Sequence, residues 1–436
     1  MSENSMKVVN SDGHLMIGGC DTVDLAAQYG TPLYVFDEGL IRKRCREYLD
    51  AFGERYPKTE IAYAAKAALT KALARIMDQE GMALDVASAG ELHTALEAAF
   101  PAERIKMHGN FKSETEMRMA IEAGVGRIVA DSLSELDQLD ALAGELGLRA
   151  ELLIRVRPGI DTHTHELIQT GQVDSKFGVG IYGGEAEAAV RKALAAENLN
   201  LRGLHCHIGS QLLELDGFER AVDLMVEFIA QLRDETGWEC EDLDLGGGLG
   251  IRYTEQDQPP TVAELADLMC PHLLAKLAEH SLPQPRLILE PGRSIVGEAG
   301  VTIYTVGVVK DIPDLRTYVS VDGGLSDNPR PALYDAVYEA VVANKADQEP
   351  SEHVRVAGKH CETDTLIEDA KIQPVEPGDL LAVFATGAYN HAMASNYNRF
   401  TRPAVVLCAD GRAELIVRRE TLADIVSHDV VPVHLQ

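Results

Sequence analysis

Apolar positions along this chain follow two regimes. Between residues 60 and 290, short apolar or β-branched runs end in polar or glycine-rich turns. Each is followed by a stretch in which apolar residues recur every three or four positions. The short runs are EIAYA (60–64), MALDVA (82–87), RIKMH (104–108), RIVAD (127–131), ELLIRV (151–156), LRGLHCH (201–207), EDLDL (241–245) and RLILE (286–290). They have the length of strands. The intervening stretches, among them TKALARIMDQE, AGELHTALEAAF, SETEMRMAIEAG and FERAVDLMVEFIAQLRDE, predict helices. Alternation of strand and helix predicts a parallel α/β sheet, and eight such units predict closure into a TIM (β/α)8 barrel. A doubly wound open sheet is the alternative.

Beyond Glu290 the helical period fades. VTIYTVGVVKDI, RTYVSVDGG, DLLAVFATGAY and RPAVVLCADGRAELIVRRE read as strands broken by DG and GD turns. HLMIGGC and TPLYVFD, near the start, are also strand-like. The expected organisation is a barrel over 36–290 and a second, mainly β domain (β-sandwich or Greek-key-like) built from both chain ends, 1–35 plus 291–436.

Length agrees, since 436 residues suit a large barrel plus a second unit. The 46% hydrophobic and 25% charged fractions are those of a globular protein able to bury a core. A formal net charge of −29 opposes binding to nucleic acid or anionic lipid, and no apolar run approaches the roughly 18 residues of a membrane span. The start, MSENSMK, carries no apolar signal core. Seven cysteines without a CxxC pair read as reduced thiols, so a cytoplasmic location is expected.

In a barrel, chemistry collects at the C-terminal ends of the strands. Here those ends carry Lys66, then Asp85 and Ser88, then His108, Gly109 and Asn110. Later ends carry His205, His207, Gly209 and Ser210, then Gly246, Gly247, Gly248 and Gly250, then Glu290, Pro291, Gly292 and Arg293. Lys66, in the apolar stretch IAYAAKAAL, is either a snorkelling side chain or a Schiff-base lysine holding an aldehyde cofactor. GGGLG is either a tight turn or, with Ser210, Gly292 and Arg293, a phosphate cradle of close-approaching backbone N–H groups. No GxxxxGK[ST] segment is present, which disfavours a nucleoside triphosphate. Glu290 either pairs with a neighbouring arginine or faces a pyridine nitrogen and keeps that ring protonated. His207 is either a core histidine or a ring-stacking one. The pairs His163/His165 and His205/His207 raise zinc, since i and i+2 share a strand face, but no third ligand has suitable spacing, so no metal is expected.

Taken in order, YAAKA, ALDVASAGEL, HGNFKS, RVRPGIDTHTHELIQTG with SKFG, HCHIGSQ, LDLGGGLGI, EPGRSIVG, DGGLSDNPRPALYDA, CETD and GAYNHAMASNYN carry a resemblance spanning nearly the whole chain. They resemble the fold-type III pyridoxal-phosphate enzymes of the ornithine/diaminopimelate/arginine decarboxylase family, in particular its diaminopimelate branch. The resemblance implies pyridoxal 5'-phosphate as cofactor and decarboxylation of meso-diaminopimelate to L-lysine and CO2. It also implies a homodimer with shared active sites, a small amino-acid substrate, and neither nucleic acid nor membrane as partner. By position it implies Lys66 as the Schiff-base lysine, Glu290 at the pyridine nitrogen and His207 stacked on the ring. Asp85, Ser210, Gly246, Gly247, Gly248, Gly292, Arg293 and Tyr389 complete the implied cofactor contacts. Cys361 is the implied general acid, reaching the site from the other subunit. Arg293, Arg330, Tyr334, Glu362 and Tyr389 form the implied substrate set. Arg330 would take a distal carboxylate and Glu362 a distal ammonium. Read alone, Cys361 is equally a small hydrophobe and Arg330 a surface ion pair. AALTK, CETDT and GAYNHAM depart from the family's commoner asparagine-containing, CESGD and glycine-aromatic versions, which bears on fine substrate preference. A decarboxylase for ornithine, lysine or a carboxylated polyamine is the closest alternative, and a non-catalytic cofactor-binding homologue the next. A racemase fits less well, since that branch carries an arginine at the ring nitrogen.

Overall fold

The computed structural model describes residues 8–160 and 175–436. The His163/His165 pair therefore lies outside the described residues. The chain divides into two units, one formed by Arg42–Ile251 and Asp257–Ile295, the other by Met1–Ile41, Arg252–Gln256 and Val296–Gln436.

The first unit is the barrel. Its strands are Thr59–Ala64, Ala83–Val86, Ile105–Met107, Arg127–Ala130, Ala150–Arg157, Leu199–His205, Asp242–Asp244 and Arg286–Leu289. Each pairs in parallel with the next, and the last pairs with the first through Ile288 opposite Glu60, so the sheet closes and the open-sheet alternative falls. The strands are short and buried on both faces, as a parallel sheet wrapped by helices requires.

The helices that follow start on a repeated device. Ser88, Ser113, Ser132 and Thr261 each accept a hydrogen bond from the backbone N–H of a glutamate three residues on, at Glu91, Glu116, Glu135 and Glu264. Such a cap contributes about 1 kcal/mol and fixes where each strand-to-helix turn begins. Ser88 is thereby assigned to capping rather than to chemistry.

Opposite the chemical end, the barrel is closed by charge. Glu60 is shared by Lys106 and Arg286, while Asp242 takes Arg127 at 2.6 Å and Arg286 at 3.3 Å. Apart from the exposed Arg286, these ions are buried or half-buried, so each depends on its partners to offset lost hydration.

In the second unit the thirteen-residue strand Gly300–Ile312 is central. It pairs antiparallel with Arg316–Val321, with Leu380–Val383 and with Leu33–Asp37. Leu33–Asp37 is in turn parallel to Ala404–Ala409, which doubles back into Arg412–Val417. Asp410 and Gly411 at that hairpin have φ of +50° and +77°, the left-handed pair a tight hairpin turn needs. The core beneath this sheet comes from both chain ends, with Leu15, Ile17, Leu33 and Val35 against Val301, Ile303, Ala404 and Val406.

Candidate active site

The last barrel strand stops at Leu289, and Glu290 follows as a carboxylate buried to 7% exposure. Its two oxygens meet different histidines. His108 Nε2 lies 2.7 Å from Oε1 and His205 Nε2 3.1 Å from Oε2. The expected alternative partner, an arginine, is not what Glu290 contacts here. Burial alone would push the Glu290 carboxyl up. The two imidazoles overcome it and hold the group well below the usual carboxylate range. Burial takes His205 down to about 3, so its ring is neutral. The two other buried acids move the opposite way. Asp85 is raised by burial, and Asp244 is raised well above its ordinary value by burial and by the Glu290 charge. Environments thus push the three carboxyls apart, Glu290 downward and Asp85 and Asp244 upward.

Lys66 sits in a single helical turn, Ala65–Ala67, directly after the first strand. Its side chain is exposed while Ala62, Tyr63, Ala64, Ala65, Ala67 and Ala68 around it are buried. The Tyr63 hydroxyl donates to the Ala68 carbonyl at 2.7 Å and ties this turn down.

His205 and His207 do not act as a pair. His205 ends its strand and turns to Glu290, whereas His207, beyond the strand end, accepts the Gly247 N–H at Nδ1 over 3.3 Å. Burial and the nearby Lys66 charge keep His207 neutral, well below the usual imidazole range. The histidine that joins His205 at Glu290 is His108, from the third strand end. The zinc geometry expected of an HxH pair is therefore not formed at residues 205 and 207.

The glycine loop packs backbone to backbone. A Cβ on Gly247 would lie 2.1 Å from the Glu290 carbonyl oxygen, and one on Gly248 2.6 Å from that of Gly209. Gly246 and Gly248 have φ of +66° and +123°. Only glycine satisfies both the space and the torsion. Beside the loop, Arg293 donates to Ser210 Oγ through Nη2 at 2.9 Å and through Nε at 3.3 Å. Among the described residues, the backbone N–H groups of Gly209, Gly248 and Gly292 meet no acceptor.

The second unit holds the remaining predicted residues. Arg330 is buried to 6% exposure, so the surface-pair alternative falls. Its Nη1 donates to the hydroxyls of Tyr253 and Tyr338, both at 2.8 Å. The guanidinium lies within 6 Å of the rings of Tyr253, Tyr334, Tyr338 and Tyr389. Among the described residues, no carboxylate pairs with it. Tyr389 has φ +66°, a conformation costly for a bulky residue and typical of functional positions. Cys361 is exposed, whereas the other six cysteines are buried. Its backbone N–H donates to Asn398 Oδ1 at 2.9 Å, and the loop beside it is pinned by His360 Nδ1 against Asp364 at 2.5 Å. The exposed Glu362 lies 3.5 Å from the Tyr397 hydroxyl.

Sequence reasoning named Glu290, Lys66 and the glycines but not their supports. His108 appeared only as a strand-end residue and His205 as a strand-end residue and half of an HxH pair, while Asp244, Tyr253, Tyr338 and Asn398 were not named. Strand-end position signals the histidines. Nothing local signals that Tyr253 reaches a residue 77 positions away.

These donors suit a phosphorylated pyridine aldehyde. An accessible amine, a buried anion, and unpaired N–H groups with an arginine beside them match its aldehyde, ring nitrogen and phosphate. Residues 38–297 match the family described as pyridoxal-dependent decarboxylase, pyridoxal binding domain, so the chain is an enzyme of that class. It is 47% identical over 422 residues to the diaminopimelate decarboxylase of Bacillus subtilis, covering 97% of this chain and 96% of that one. Identity to the Mycobacterium tuberculosis enzyme of the same name is 45% over 428 residues, covering 96% and 95%. The diaminopimelate decarboxylase of M. jannaschii in co-complex with L-lysine superposes with a TM-score of 0.92 at 38% identity, covering 99% of both chains. The chain belongs to the diaminopimelate decarboxylase family.

Proposed function

We propose that this chain releases CO2 from meso-diaminopimelate to give L-lysine, the last step in making that amino acid, with pyridoxal phosphate as cofactor. When bound, pyridoxal phosphate supplies an aldehyde for the substrate amine and a protonated ring that accepts the electron pair left by departing CO2. Lys66 would hold the aldehyde carbon, and Glu290 would face the ring nitrogen. His207 would lie on the ring face, with Asp85 nearby. Ser210, Gly246, Gly247, Gly248, Gly292, Arg293 and Tyr389 would hold the phosphate. As an anion, Glu290 would accept the ring N–H and thereby keep that proton in place. Neutral His207 adds no positive charge against the ring.

The observation that carries the choice of substrate is Arg330. A buried guanidinium that meets only tyrosines among the described residues is a receptor for a carboxylate brought by the ligand. Diaminopimelate brings one at its far end. Ornithine does not, and would leave the guanidinium buried and unpaired. Arg293, Tyr334 and Tyr389 join Arg330 around the substrate, and Glu362 takes the distal ammonium. Cys361, an exposed free thiol, returns a proton to Cα.

Exposed Cys361 and Glu362 act in the site of a second subunit, so the working form is a homodimer. The domain assignment we favour is a cofactor-binding barrel over 36–290 and a β domain from 1–35 and 291–436. Seven free cysteines support a reducing, cytoplasmic setting.

The test is CO2 release from meso-diaminopimelate, L-lysine and L-ornithine by enzyme loaded with pyridoxal phosphate, followed by borohydride trapping. We expect CO2 from diaminopimelate above the others and a pyridoxyl adduct at Lys66. Faster release from ornithine, or an adduct elsewhere, would refute the assignment.

A further inference from the structure

We propose that His108 and His205 are positioning residues for the decarboxylation, gripping Glu290 from both sides so that it stays a fixed, ionised acceptor. The inference rests on Glu290 facing the ring nitrogen, as proposed above, and adds what makes it able to do so.

The geometry comes first. His205 Nε2 and His108 Nε2 approach opposite oxygens of one carboxylate, and the imidazoles meet edge to face with centroids 4.9 Å apart. Three different strand ends therefore converge on one group. All three side chains are buried, so the alternative to these contacts is an unsatisfied charge.

The proton positions follow from the partners. A nitrogen facing an anionic carboxylate oxygen is a donor, so His205 carries its hydrogen on Nε2. Its other nitrogen, Nδ1, is buried with no hydrogen-bond partner among the described residues, which suits a bare lone pair and not an N–H. His205 is thus a neutral donor that orients Glu290 without bringing charge. His108 also faces Asp85, at 3.6 Å.

The neighbours favour the same outcome. Burial raises Asp85, and burial with the Glu290 charge raises Asp244. Asp244 Oδ1 accepts the Gly246 N–H at 2.9 Å, which ties this acid to the glycine loop. The positive groups facing the set are Arg155, Lys66 and Lys106. These opposite directions favour Glu290 as the charged member of the set, where the ring proton would be held.

The experiment uses enzyme loaded with pyridoxal phosphate carrying nitrogen-15 at the ring. The ring-nitrogen chemical shift reports whether that nitrogen is protonated, and kcat and KM are measured alongside. Wild type is compared with His205→Gln, His205→Leu, His108→Gln, His108→Leu and Glu290→Gln. Glutamine retains an N–H that reaches Glu290, and leucine does not. We expect a protonated ring in wild type and both glutamine variants. In the leucine variants we expect the shift of an unprotonated ring and a kcat lower by about ten- to a hundredfold, the usual effect of losing a group that orients a ligand, with KM within about twofold. Glu290→Gln should also lose the ring proton. If the leucine variants do not fold, asparagine, polar but too short to reach Glu290, replaces leucine with the same expectation. Leucine or asparagine variants with the wild-type shift would overturn the proposal while Glu290→Gln loses the proton. A wild-type shift in Glu290→Gln would overturn the placement of Glu290 itself, and this inference with it.

Discussion

Replacing Arg330 by methionine keeps most of the side-chain volume and removes the charge. The residue is almost wholly buried and donates to two tyrosine hydroxyls at 2.8 Å, so the charge is oriented before any substrate arrives. Losing one member of a buried, hydrogen-bonded charge pair costs about 2–5 kcal/mol. At about 1.4 kcal/mol per factor of ten, kcat/KM for meso-diaminopimelate should fall by about thirty- to several-thousandfold. Product binding gives the sharper assay. L-lysine keeps the distal carboxylate after CO2 has left, whereas cadaverine has none. Inhibition by L-lysine should therefore weaken by a similar factor in Arg330→Met, while cadaverine inhibition stays within about threefold. A melting curve establishes that the variant is folded. The reasoning fails if kcat/KM changes by less than about threefold. It also fails if cadaverine and L-lysine weaken together, because the loss would then be general damage.

Five further variants have expected outcomes. Asp327 is raised to about 7, first by burial and despite the hydrogen bonds from Gly324 and Tyr304. An acid whose folded pKa lies above its unfolded value contributes stability only while protonated, so wild type should lose stability relative to Asp327→Asn as pH rises from about 4 to about 7. Parallel melting curves for the two across that window would contradict this. Gly247→Ala puts a Cβ 2.1 Å from a carbonyl oxygen and should lower both melting temperature and cofactor affinity, while Gly53→Ala, whose Cβ meets nothing within 4 Å in a helix, should gain about 0.5–1 kcal/mol; calorimetry separates the two. Lys66→Ala should lose the borohydride-trapped adduct, whereas Cys361→Ala should keep cofactor absorbance but turn over far more slowly, and full activity in Cys361→Ala would remove its assigned role as proton donor.

The barrel was legible because strands covered on both faces read as short, uninterrupted apolar runs that end in polar or glycine-rich turns; the serine- and threonine-to-glutamate caps at those turns went unread. RLILE is such a run, and Arg286–Leu289 is the strand. The Asp410–Gly411 hairpin was equally plain, since few residue pairs accept that turn. The site was legible only where one residue type is unusual in its place, as with Lys66 among alanines or a triple glycine after a strand. Partnerships were not. His108 and Glu290 lie 182 residues apart, and no local pattern joins them. Read alone, Arg330 left a surface ion pair open, because its tyrosine cage comes from Tyr253, Tyr334, Tyr338 and Tyr389, which closure of the fold brings together. The HCH spacing raised a shared face that is not formed: the strand ends at His205, so the two rings leave the alternation that would have aligned them.

Leu33–Asp37 is hydrogen-bonded on both sides by strands made much later, Gly300–Ile312 and Ala404–Ala409. During synthesis the ribosome releases this apolar ribbon long before either neighbour exists, and the whole barrel emerges in the interval. A nascent molecule therefore exposes an unpaired edge for most of its translation, the condition under which chains stick to one another or are held by chaperones. A stop codon just before residue 404 would leave that edge open permanently, so even a modest truncation at the far end should be felt at the beginning of the chain.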